Sequence, residues 1–196
     1  MARDHQGTLL LAAVRDCSSW ADFQRRLRDL SEKQKGDLFE ELVKAYLQLE
    51  PEYASKLRHV WLYREVPQAI AKQLKLPATD QGIDLVAETN DGEFWAVQCK
   101  YRQDTDHSLS WREISTFTGL AFGVCRGFEF GIICSTTERI THVLKNRSAS
   151  GFARWTSGKG WTRIFGCFTG VALLSLVIVL LIKPQQKRQK EHAELV

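Results

Sequence analysis

Three residues of this chain have types and spacing suited to joint chemistry: Asp84 in DQGIDLVAE, and Gln98 and Lys100 in WAVQCKY, with the acid fourteen positions before the Gln-x-Lys. A carboxylate and an amide oxygen are hard ligands of the kind that hold Mg2+, and an ammonium beside them can stabilise charge on an attacking water or a phosphorane. Phosphodiester hydrolysis needs those parts. Residues two apart in a strand share a face, so Gln98 and Lys100 project to one side, and Val97, Cys99 and Tyr101 to the other. A lysine on a mostly apolar strand needs a partner, and Asp84 is the nearest candidate. The bland alternative is a solvated hairpin face with an incidental ion pair.

Register decides whether the three meet. A three-residue loop Asn90-Asp91-Gly92, with Gly92 in the left-handed region, pairs Thr89 with Glu93 and sets Asp84 opposite Gln98 on one face. A two-residue Asp91-Gly92 loop sets Asp84 opposite Cys99, because a one-residue slip inverts the strand. The odd-length loop is the expectation.

Further elements are needed to position this hairpin. Ser18 and Ser19 precede Trp20, Phe23, Leu27 and Leu30, an apolar series at helical spacing with a cap available. After the polar SEKQKGD, the segment LFEELVKAYLQLE carries a broad apolar stripe that Pro51 ends, which predicts an amphipathic helix. HVWLYREV predicts a strand over residues 59–66, and AIAKQLKL is too short to decide. IDLVAE and EFWAVQCKY are the hairpin arms. WREISTFTGLAFGVC predicts a helix, FEFGIICST a buried strand and TERITHVLKN a short final helix. The predicted order is α-α-β-β-β-α-β-α.

FEEL on the amphipathic helix, followed by DQGIDLVAE and AVQCKYR, resembles the Mrr-like restriction endonuclease branch of the PD-(D/E)xK nuclease superfamily. The resemblance covers approximately residues 30–145 and comes nearest to the N-terminal nuclease domains of large helicase-containing restriction enzymes. It implies an α/β fold, a restriction-endonuclease-like mixed β-sheet flanked by helices, and Mg2+ or Mn2+ as cofactor. Carried over, Asp84 is the principal metal ligand, and Gln98 takes the position that is Glu or Asp in the archetype. Lys100 polarises the attacking water or stabilises the phosphorane. Glu40 is the auxiliary acid near the metal, with Glu41 its neighbour. The function implied is a metal-dependent DNA endonuclease in restriction of foreign DNA, with DNA as partner. Double-strand cleavage by one such site calls for a homodimer, and helicase or methyltransferase subunits would be encoded elsewhere. The alternatives are a membrane-anchored or truncated DNA-binding module of the same fold without turnover, and a protein-interaction adaptor.

Other candidates carry blander readings. Asp80 beside Gly82 reads as a turn former rather than a second metal acid. Glu40 competes with the reading of an ordinary exposed helix carboxylate. Tyr101, Arg102 and Trp111 could line a DNA groove, although Trp111 at a helix start also reads as a core anchor. The five histidines form no ligand pattern. Cys17, Cys99, Cys125, Cys134 and Cys167 show no CxxC or zinc spacing, which predicts buried free thiols in a reducing compartment.

Charge gives no bulk signal for nucleic acid in the body of the chain. Residues 1–150 carry 20 Lys/Arg against 21 Asp/Glu, whereas residues 151–196 carry 7 against 2. DNA contact therefore rests on local patches. The nuclease domain is expected to span residues 1–147, with 148–163, rich in Gly and Ser, as a linker. Residues 164–182 hold 19 consecutive uncharged positions, which predicts an apolar helix crossing a membrane, followed by a basic polar tail at 183–196. Both flanks are basic, so orientation follows from function alone: a cytoplasmic nuclease domain anchored by a C-terminal helix.

Overall fold

A computed structural model of the chain describes residues 10, 12–15, 17, 19–79, 81–103, 109–136, 152–157 and 177–182. The elements are α1 (Trp20–Arg26), α2 (Glu32–Leu49), α3 (Pro51–Ala54), β1 (Leu57–Leu62), α4 (Gln68–Leu74), β2 (Leu85–Thr89), β3 (Phe94–Lys100), α5 (Trp111–Gly119), β4 (Phe128–Ser135), β5 (Phe152–Ser157) and β6 (Val177–Ile182).

Helix α2 starts earlier than its apolar stripe suggests. Ser31 caps it with a reciprocal Gln34 capping box, so SEKQKGD forms the first turns instead of a loop. Lys35 occupies the inward position there, 4% exposed, with its ammonium held by Glu32 at 2.8 Å and Gln103 at 2.9 Å. Its stem extends the stripe of Leu38, Phe39, Leu42, Val43, Tyr46 and Leu47. Pro51 both ends α2 and opens α3 at its first turn. The strand expected at 59–66 runs instead over Leu57–Leu62 and closes in a single 3-10 turn, Tyr63–Glu65. The undecided AIAKQLKL is α4, ended by Lys75 in the left-handed region at φ 52°.

The sheet is mixed. β1 pairs β2 and β2 pairs β3 antiparallel, while β3 pairs β4 parallel through the crossover that contains α5. Beyond β4 lie β6 and then β5, both antiparallel to their neighbours. Alternation along the strands splits the core in two. Leu85, Ala87, Val97, Ile132 and Cys134 pack with α1, α2 and α3 on one face. Val86, Phe94, Ala96 and Ile133 pack with α4 and α5 on the other. Each fully buried Leu, Ile or Phe contributes about 1.5–3 kcal/mol relative to exposure, so both helical layers are strongly held.

Of the apolar helix expected over residues 164–182, the described part is not helical. Val177–Ile182 is a strand on β4, and among the described residues no helix is long and apolar enough to cross a membrane. VIVLLI is an apolar, partly β-branched run, which suits a strand beside a buried strand as well as it suits a helix. Residues 164–176 and the expected helix TERITHVLKN lie outside the described residues. Within the stretch expected as a linker, Phe152–Ser157 is a strand.

Candidate active site

The hairpin adopts the odd-length register. Leu85 pairs Val97, Val86 pairs Ala96, Ala87 pairs Trp95 and Glu88 pairs Phe94. The turn closes with Thr89 N–H on the Glu93 carbonyl at 2.8 Å and with Gly92 at φ 82°, where an L side chain is disfavoured. That parity sends Gln98 and Lys100 to the face of Phe94 and Ala96, which α5 covers.

At the open end of the hairpin, Asp84, Gln98 and Lys100 line one cleft of about 440 Å3, together with Gln81, Gly82, Arg112, Glu113 and Thr116. The ladder stops at Leu85, and Asp84 is fixed by its own bonds. Its N–H donates to the Val97 carbonyl at 2.9 Å, and its Oδ2 accepts the Cys99 N–H at 2.5 Å. Gln98 is 3% exposed. Its Nε2 donates to the Gly82 carbonyl at 3.0 Å, which leaves Oε1 buried with no hydrogen-bond partner. An orphaned buried acceptor costs about 1–3 kcal/mol, so this one calls for a cation or a donor. Gly82, at φ 121°, makes the arrangement possible, because a Cβ there would lie 3.0 Å from Gln98 Nε2.

Lys100 is held from behind. Ser135 Oγ donates to its carbonyl at 3.2 Å, and the Thr136 N–H does so at 3.3 Å. Thr136 Oγ1 also accepts the Arg102 N–H at 2.7 Å and donates to the Arg102 carbonyl at 2.9 Å. The strand end carrying Lys100 is thus locked to β4.

The opposite wall is the first part of α5, a helix on which the sequence pointed only to Trp111 as a DNA contact. Ser110 caps it: its hydroxyl and N–H reach Glu113 Oε2 at 2.8 and 3.0 Å, and Glu113 also pairs with Arg102. Burial pushes the Glu113 carboxyl up, but the Ser110 bonds and the Arg102 and Lys100 charges outweigh it and hold the group below the usual range. A capping-box Ser-x-x-Glu at 110–113 is visible in the sequence and was the available signal for this wall.

Glu40 does not line the cleft. It sits on α2, on the other face of the sheet, with Oε2 3.9 Å from Arg64 Nη1. Its charge still reaches the edge: burial, the neighbouring Cys134 and the charges of Asp84 and Glu40 together push the Cys99 thiol well above its ordinary value. Glu41 pairs with Arg64 at 2.7 Å. Tyr101 turns to the α2 layer, edge-on to Phe39 at 6.0 Å, and so does not face the cleft. Asp80 and the side chain of Trp111 lie outside the described residues. Cys17, Cys125 and Cys134 are buried free thiols, as expected, and burial pushes Cys134 up to about 12.

A family model described as a restriction endonuclease, Mrr_cat_2, matches residues 48–151, just over half of the chain. The chain belongs to that family. Asp84, Gln98 and Lys100 fall inside the matched residues of this restriction endonuclease domain, and Glu40 falls before them. That family implies a DNA-cleaving hydrolase. Among solved structures, it is similar to the ATP-dependent Type ISP restriction-modification enzyme LlaBIII bound to DNA, with 28% identity and a TM-score of 0.47. That likeness covers 60% of this chain and 7% of the other, so the chain spans a small fraction of that protein's length. No curated protein matches.

Proposed function

We propose that this restriction endonuclease domain is a Mg2+-dependent DNA endonuclease acting in restriction of foreign DNA. Asp84 and the Gln98 amide oxygen hold the cation, and Lys100 acts at the nucleophile. The observation that carries this is the unpartnered, buried Gln98 Oε1 in the same cleft as Asp84 and Lys100.

The residues fit a hard divalent cation. Among the described residues no group of three or more His, Cys, Asp and Glu could hold a metal, and the donors assigned here are one carboxylate and one neutral amide oxygen. Mg2+ suits such a sparse set, since it is commonly bound by one or two carboxylates and completes its shell with water and substrate phosphate oxygens. When bound, it would neutralise phosphate charge and lower the pKa of a coordinated water. The Cys99 N–H orients the Asp84 carboxylate, and the Gly82 carbonyl takes the Gln98 Nε2, so that the amide oxygen is the atom left without a partner. Lys100, locked to β4 through its carbonyl, places an ammonium where negative charge develops on the phosphorane. Glu40 adds negative potential from across the sheet.

Purified full-length chain should relax and linearise plasmid DNA with Mg2+ or Mn2+, and Lys100→Ala or Asp84→Asn should each abolish cleavage. The asparagine can still accept the Cys99 N–H, so that variant keeps its fold. Undiminished cleavage by both variants defeats the assignment. A DNA-binding module without turnover is the second reading, favoured by the neutral Gln98 and the single carboxylate of the donor set. Salt-dependent binding with no cleavage under either metal selects it.

A further inference from the structure

We propose that Arg112 is the residue by which the cleft grips a backbone phosphate of the DNA, so that it positions substrate while Lys100 acts at the reacting group. This rests on the nuclease reading, which supplies a phosphodiester as substrate, and goes beyond it by assigning the α5 wall.

The charges lining the cleft separate into committed and uncommitted groups. Glu113 is taken up by Arg102 and by Ser110. The Thr116 hydroxyl donates back to the Arg112 carbonyl at 2.9 Å, so its proton is spent within the helix. Asp84 receives the Cys99 N–H. Arg112 lines the same cleft with an exposed side chain, and its guanidinium has no ion pair or hydrogen bond among the described residues. The nearest acid along the helix, Glu113, is satisfied by another arginine. A cation left unneutralised beside a polar cleft matches an anion that arrives with the ligand.

Guanidinium chemistry fixes the kind of anion and the kind of role. Its planar fork matches two oxygens of a phosphate, whereas its pKa is too high for it to take or give a proton at neutral pH. Arg112 therefore binds and orients. The platform is rigid: Ile114 and Phe117, on the inner side of α5, are 1% and 0% exposed, and the Ser110 capping box fixes the first turn. Lys100 faces this wall from β3, so the two cations flank the space that one strand of DNA would fill.

The test compares Asp84→Asn with Asp84→Asn/Arg112→Ala, both full-length, binding a fluorescein-labelled duplex across a salt series. Losing one phosphate contact should reduce the slope of log affinity against log salt by about 0.9 and weaken binding about tenfold. In the active background, Arg112→Ala should lose kcat/KM mainly through a raised KM, with partial recovery in Arg112→Lys. An unchanged slope and affinity, with normal thermal unfolding, overturns the assignment and leaves the nuclease reading intact if wild type cleaves. A loss confined to kcat with binding unaltered also overturns it. Wild type that neither binds nor cleaves DNA sinks both.

Discussion

Gln98→Glu restores the acid of the superfamily archetype, yet the surroundings of residue 98 predict that it weakens the metal-free fold. The wild-type amide faces two ways: Nε2 donates to the Gly82 carbonyl at 3.0 Å, and Oε1 is free to accept. A carboxylate has no donor, so the substitution removes one hydrogen bond and sets an oxygen against the Gly82 carbonyl at a site only 3% exposed. The oxygen that replaces Nε2 becomes a buried acceptor facing another acceptor, which costs about 1–3 kcal/mol, and a buried ionised carboxylate adds to the cost unless it takes up a proton or a cation. For a chain of this size, 1–3 kcal/mol corresponds to a fall in Tm of about 2–12 °C. The introduced acid would be shifted upward by burial, so the native state would bind its proton more tightly than the unfolded chain. The deficit should then shrink on acidification and grow as pH rises. Mg2+ should reverse it at neutral pH, because a cation satisfies the charge only in the folded form. Scanning calorimetry of wild type and variant, in EDTA and in Mg2+, at acidic and neutral pH, measures each arm. A variant that melts with wild type in EDTA at neutral pH refutes the account of how residue 98 is held.

Gly82→Ala should lose roughly 1–3 kcal/mol, from a side chain at φ 121° and a Cβ 3.0 Å from Gln98 Nε2; equal stability in urea unfolding would contradict the cradle. Thr136→Val keeps the shape but strands the Arg102 N–H and carbonyl, so about 1–3 kcal/mol of stability and much of the cleavage rate should go together, as read by melts and plasmid nicking. Glu41 is held above the ordinary carboxylate range chiefly by burial, only partly offset by Arg64 and Lys44. Its contribution is therefore fully present below the unfolded pKa and is lost as pH rises through the folded one. Glu41→Gln should thus gain on wild type as pH rises above the ordinary carboxylate range, a trend that melting curves would show or deny. With only one carboxylate and one amide in the proposed donor set, the cation should bind more tightly with DNA present than alone. Linkage requires Mg2+ to tighten DNA binding by the same factor, and titration calorimetry on Asp84→Ala, where both effects should vanish, checks it.

The hairpin was legible in the sequence because its signals are local. Asn90-Asp91-Gly92 sets an odd loop, Gly92 takes the left-handed region, and alternation along WAVQCKY sorts the two faces. Burial of Val97 and Ile132 in the α2 layer and of Ala96 and Ile133 in the α5 layer follows from the same period of two. Polar residues at inward positions broke the pattern. Lys35 hides the first turns of α2, since only its stem packs and its head finds Glu32 and Gln103. The α5 wall escaped notice because Arg112 and Glu113 look like an ordinary polar first turn until β3 is placed beside them. The carbonyl of Gly82 carries no side-chain signal at all. The apolar run ending in VIVLLI has one composition and two outcomes, and periodicity does not separate a buried strand from a helix there.

One structural quantity, strand parity, ties the site to the core. Gln98 and Lys100 lie two and four residues beyond Ala96 on one face, and Ala96 packs against the α5 layer with Phe94. A one-residue slip would carry Val97 to the α5 side and Ala96 to the α2 side, opening one layer and overfilling the other. It would also turn Cys99 into the cleft in place of Gln98. The packing that selects the register therefore selects the site, and no separate interaction is needed to bring Asp84 and Lys100 to the same opening. What parity leaves undecided is the orientation of the Gln98 amide, and that falls to a single backbone carbonyl. The unpartnered oxygen is thus specified by the left-handed geometry of Gly82 together with the hairpin register. Neither alone suffices, since register without that carbonyl leaves the amide free to flip, and the carbonyl without register faces a valine or a cysteine.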